Sequence, residues 1–180
     1  MTRFQTLSVY AILILLVGVL VISLSFAPSQ AIQYLVGFGM LLIGLFAAIT
    51  TYKFKNLNVP YTYHLLHFVG FLIYGIALLF YGTSSERFLS ITSFFLLYYG
   101  ITEMIFSFEL TMLKRRNINL KMVVYRLLIG LIIGIGSFII IIITTSNHRG
   151  ALLAAGVVFV FCGINLFLFK SILKKLETKI

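Results

Sequence analysis

The chain has 180 residues, 61% of them hydrophobic and only 10% charged, with a net charge of +10 and a single cysteine. A soluble domain is nearer half apolar and a quarter charged, so this composition excludes a water-solvated globule and points to the bilayer as solvent. The basic residues fall between apolar runs too long for a nucleic-acid fold, so no nucleic-acid partner is expected. They read instead as orientation signals and as contacts to anionic lipid headgroups.

Crossing about 30 Å of hydrocarbon takes roughly 20 helical residues. Six apolar runs meet that length, near residues 7–27, 31–52, 61–82, 88–109, 122–144 and 150–170. The expected fold is therefore an all-α membrane protein of six transmembrane helices, forming one domain over residues 1–180. The first run follows Met1-Thr2-Arg3 and ends Ser25-Phe26-Ala27-Pro28. Its apolar stretch is too long for a signal peptide and Pro28 would follow the cut, so it is read as a retained span.

Charge gives the orientation. The turns after the first, third and fifth runs hold only Arg87 and Arg149 among the Lys and Arg residues. The other twelve lie on the opposite side: Arg3, Lys53, Lys55, Lys114, Arg115, Arg116, Lys121, Arg126, Lys170, Lys174, Lys175 and Lys179. By the positive-inside rule both termini are cytoplasmic, with Lys114, Arg115 and Arg116 the densest topology determinant.

Small residues recur with a repeat. Gly44, Gly100 and Gly163 occupy matching points of the even helices, and seven residues earlier stand Gly37, Ser93 and Gly156. A small residue every seventh position makes a stripe where another helix approaches closely. The odd helices share Gly18, Gly75 and Gly134, and Gly130 with Gly134 forms a GxxxG pair. The chain thus reads as three sequential helical hairpins packed through glycine stripes, unlike the inverted repeats of many transporters.

The first hairpin, Gly18–Pro28 with the sequence GVLVISLSFAP and then Val36–Gly44 with VGFGMLLIG, resembles the HdeD-like acid-resistance membrane protein family. The resemblance is clearest over residues 13–50 and 70–116, although the second and third outer turns lack the proline of the first. It implies a six-span protein of the bacterial inner membrane, linked to acid or envelope-stress tolerance. It carries no residue roles.

Four acids occur in the whole chain, and Glu103 and Glu109 lie in the fourth run. Glu103 sits beside Gly100 and Ser107, with Arg126 of the fifth run and His67 of the third at comparable depth from the basic side. An ionisable group inside hydrocarbon is costly unless paired, and is a functional hypothesis by default. Two readings stand: a structural Glu103–Arg126 ion pair, or a Glu103, Arg126 and His67 cluster whose protonation between about pH 5 and 7 shifts packing or opens a proton path. His64 and His67 are too few for a metal site, and histidines beside Tyr61 and Tyr63 are expected at the interface. Tyr34, Tyr52, Tyr61 and Tyr81 are the expected interfacial anchors, and Glu109 a headgroup-level charge. Asn165 is expected to make an interhelical hydrogen bond, Tyr98 and Tyr99 to seek partners inside the bundle, and Cys162 to pack as a small residue.

No phosphate-binding loop, paired catalytic carboxylates or nucleophile with a base is present, and connections of 3–12 residues leave no room for an extramembrane active site. An enzyme is not expected, nor a cofactor or metal. Three functions remain: a non-enzymatic stress-tolerance protein, a small channel or proton-coupled transporter using the cluster, and an accessory subunit of a larger membrane complex. The compatible protein partners are a second copy or another membrane protein.

Overall fold

The computed structural model describes residues 2–54, 62–112 and 120–177. These form six helices: α1 (Arg3–Phe26), α2 (Gln30–Phe54), α3 (Thr62–Tyr81), α4 (Ser85–Met112), α5 (Leu120–Thr144) and α6 (His148–Glu177), with no strand among the described residues. Each contains a stretch of 20 to 25 residues long and apolar enough to cross a membrane. Lys114, Arg115 and Arg116 lie outside the described residues.

Helix starts are set by side chains that take up orphan N–H groups. Thr2 and Gln5 make a reciprocal capping box at α1. Ser84 Oγ accepts from the Arg87 N–H at 3.3 Å before α4. Asn147 Oδ1 accepts from the Gly150 N–H at 2.8 Å before α6. Inside the helices, hydroxyls of Thr50, Thr92, Ser93, Ser107 and Thr144 donate to the carbonyl four residues earlier. That back-bonding satisfies a polar side chain where no water is at hand.

The helices form a closed ring in chain order, α6 packing back against α1, with α4 also touching α6 across the interior. Leu16, Val19, Phe38, Leu45, Ile73, Phe80, Phe94, Ile135, Phe138 and Val157 are exposed, whereas Thr92, Ser93, Thr102, Glu103, Arg126, Ser137 and Asn165 are buried. An apolar outer face, with these polar groups buried among an apolar core, is the arrangement a bilayer selects.

The glycine stripes do not zip each sequential hairpin internally. They join one hairpin to the next, so the tightest pairs are α2–α3, α4–α5 and α6–α1. A methyl group built at Gly37 or Gly75 would lie 3.5 or 3.0 Å from the other residue's carbonyl oxygen. At Gly18 and Gly156 the corresponding gaps are 3.0 and 2.8 Å, and at Gly100 and Gly130 they are 2.8 and 2.7 Å. Gly44 meets Leu72, and Gly163 meets Leu15 and the Ala11 carbonyl. The reason is steric: two backbones reach contact only where both helices present a small residue, and the odd-helix glycines are the partners of the even-helix ones. Ser93 takes the place of glycine on α4 and is fully buried.

Candidate functional site

Three glycine-packed pairs surrounding one axis leave a common interior, and one end of it is polar. Its hub is the carboxylate of Glu103 on α4, which is 0% exposed. Three other helices donate to it. Arg126 Nη1 on α5 reaches Oε2 at 2.6 Å, Tyr63 Oη on α3 donates to Oε1 at 2.6 Å, and Asn165 Nδ2 on α6 donates to Oε1 at 3.3 Å. Arg126 Nη1 also donates to Tyr63 Oη at 3.0 Å. The ion pair is thus neutral, fully desolvated and held by charge-assisted hydrogen bonds.

Aromatic rings complete the Arg126 environment. Its Cζ stands 4.0 Å from the Phe169 ring centroid, 5.4 Å from that of Tyr63 and 5.6 Å from that of Phe106. Such faces stabilise a cation that has left water. Only Nη1 is used in hydrogen bonding; Nε and Nη2 are buried without a partner.

His67 does not join this network by a hydrogen bond. Its Nδ1 lies 2.5 Å from Tyr10 Oη on α1. With the phenol as donor, the imidazole carries its own proton on Nε2, which has no partner. The ring lies 4.2 Å from Tyr63 and stacks at 4.5 Å on Tyr99, so it touches the cluster through aromatic contact only. The expectation that the two histidines are interfacial is overturned: each is 1% exposed, as is Tyr63 beside them, and His64 packs between Phe54, Tyr63 and Phe169. Tyr63 and His67 are one helical turn apart and continue into Gly70, Phe71, Tyr74 and Leu78, one inward face. That spacing was the signal for Tyr63; nothing local marks Tyr10.

Other expectations sort simply. Asn165 makes its interhelical bond, to Glu103. Tyr98 donates to the Leu66 carbonyl at 2.8 Å, whereas Tyr99 Oη is buried without a partner. Glu109 is half-buried and accepts from Thr62 Oγ1 at 2.6 Å, a second α3–α4 tie. Tyr34, Tyr52 and Tyr81 are exposed, Tyr61 lies outside the described residues, and Cys162 is a buried free thiol. Further ties are Tyr74 to Thr92 at 2.8 Å and Lys170 Nζ to Ser8 Oγ at 2.6 Å.

The side-chain bonds divide by location. Glycine contacts hold α2 to α3, α4 to α5 and α6 to α1, while Glu103, Tyr63, Asn165, Tyr10 and His67 link these pairs to each other. The fold and site together define an integral membrane protein with a buried polar core. No protein-family model matches the chain, and neither a curated protein nor a solved structure matches it.

Proposed function

We propose that this is a non-enzymatic protein of the bacterial cytoplasmic membrane, of HdeD-like type, acting in acid or envelope-stress tolerance, with Glu103 as its proton-responsive group. One observation carries the reading: a single carboxylate accepts hydrogen bonds from three other helices, which belong to all three glycine-packed pairs. Protonation would remove the negative charge and turn one carboxyl oxygen into a donor, leave the Arg126 charge unbalanced in a dry interior, and so force the pairs to repack. Asn165 suits both states. Its Nδ2 serves the carboxylate, and its unpartnered Oδ1 would accept from the carboxylic acid after the amide rotates.

Under the orientation expected from the charges, the cluster lies in the cytoplasmic half of the bilayer and would report internal acidification. The titratable neighbours are Tyr10 on α1, Tyr63, His64 and His67 on α3, Tyr99 on α4, Arg126 on α5 and Cys162 on α6. The test is hydrogen exchange in nanodiscs between pH 7 and 5. Wild type is expected to lose protection at the inner ends of α3–α6 as pH falls, and Glu103→Gln to show one pH-independent pattern. Wild-type protection that ignores pH overturns the reading. Loss of the response in His67→Gln with Glu103 intact moves the proton site to the histidine.

A transport reading is favoured by a second observation. His67 Nε2 and Tyr99 Oη, on rings stacked together, continue the polar core beyond Glu103 without partners of their own. It predicts pH-dependent flux in liposomes that Glu103→Gln abolishes while the protein remains folded.

A further inference from the structure

Arg126 is under-used. Its guanidinium is planar, and its Nε–H and Nη2–H point the same way, forming the fork that grips a planar oxyanion at two points. Glu103 does not take that fork; it binds Nη1 alone, as does Tyr63 Oη. The Nε and Nη2 atoms are both buried and carry no hydrogen-bond partner. A buried guanidinium normally satisfies its donors, because each orphan forfeits its hydration. Two adjacent unpaired donors on this buried guanidinium therefore make an edge whose chemistry suits a planar oxyanion once repacking around it gives the anion room.

Charge decides when that edge is usable. With Glu103 ionised the pair is neutral, and adding an anion would leave a net negative charge in the interior. With Glu103 protonated, Arg126 is an unbalanced cation facing Phe169, Tyr63 and Phe106. One proton on the carboxylate and one monovalent anion on the guanidinium restore neutrality together. The bonds from Tyr63 Oη and Asn165 Nδ2 to the carboxyl group then lose their charge assistance, so both donors are freer to turn to the anion.

We propose that Arg126 is the centre of a proton-coupled binding site for a small monovalent oxyanion, of the size and shape of formate, nitrate or bicarbonate. The site opens on protonation of Glu103 and takes up one proton per anion. This rests on the proton-responsive role assigned to Glu103 above. Around the site stand Tyr10 from α1, His64 and His67 from α3, Tyr99 from α4 and Cys162 from α6. Arg126 is the cation among them that hydrogen-bonds the carboxylate.

The experiment uses the whole chain in nanodiscs at constant ionic strength, with sodium gluconate as background. Sodium formate and sodium nitrate are titrated at pH 5 and pH 7 against sodium chloride, reading thermal stability and, in weakly buffered solution, proton uptake. Binding at pH 5 is expected to be about tenfold or more tighter than at pH 7, within the usual range of coupled sites, and accompanied by uptake of one proton. Glu103→Gln is expected to bind equally at both values without uptake. Arg126→Lys keeps the charge but loses the fork, so it should lose the preference for formate and nitrate over chloride. Wild type that binds no anion at pH 5, or binds without proton uptake, overturns the proposal. If exchange protection still responds to pH in gluconate alone, the proton-responsive reading survives that loss; if it does not, both fall together.

Discussion

The Glu103–Arg126 pair shows how strongly a single partner matters once water is gone. Arg126→Met leaves a carboxylate buried with two neutral donors, and breaking such a pair costs about 3–5 kcal/mol. The double variant Glu103→Gln with Arg126→Met removes both charges and is expected to recover most of that loss. A double-mutant cycle on unfolding in mixed micelles measures this, and an additive cycle would mean that the two residues do not act as a pair. Tyr63→Phe deletes one donor to the carboxylate and one acceptor for Arg126. Hydrogen bonds between membrane helices average well under 2 kcal/mol, so a loss of about 1 kcal/mol is expected by the same assay. The pair itself was legible in the sequence, because a charge inside an apolar run is conspicuous. Its surroundings were less so. Tyrosine is as much at home at a membrane interface as in a polar core, and only the spacing of Tyr63 from His67 separates the two. Tyr10 meets His67 across the ring, a contact between distant parts of the chain that no local pattern encodes.

Among elements, the glycines are not equivalent, and alanine substitution sorts them. At Gly130 an added methyl would lie 2.7 Å from the Gly100 carbonyl oxygen and 3.1 Å from the Met104 nitrogen, both backbone atoms that cannot turn aside. At Gly134, four residues on, it meets nothing within 4 Å. Gly130→Ala is expected to open the α4–α5 seam and destabilise the protein. Gly134→Ala should be neutral, or stabilising by up to about 1 kcal/mol from helix propensity. Thermal unfolding of the two variants side by side checks this, and equal effects would refute the seam described. The sequence made the spans and stripes visible because hydrocarbon thickness and close backbone approach impose strong composition rules. It left the pairing open. A stripe of small residues says that some helix comes near but not which, and sequential hairpins and joined hairpins satisfy the same stripe.

For the whole molecule, the defining contact is the one that closes the ring. Lys170 Nζ on α6 reaches Ser8 Oγ on α1 at 2.6 Å. Cysteines at these two positions, in a Cys162→Ala background, are expected to be bridged within one chain by a short bis-methanethiosulfonate reagent. A pair at Phe38 and Ile132, on α2 and α5, is the comparison and should not. Gel mobility before and after reduction reads the result, and failure of the first pair with success of the second would mean a different helix order.

Closure by α6 also sets a clock. During synthesis at about 5–20 residues per second, Gly156 emerges roughly 7 to 28 seconds after its partner Gly18. Until then α1 shows lipid a bare seam, and Glu103 lacks the Asn165 donor. The nascent chain is therefore an unfinished circle with its most adhesive edge displayed first. A chain interrupted before α6 would offer that edge to any neighbour with small residues of its own, including the α6 of a complete copy.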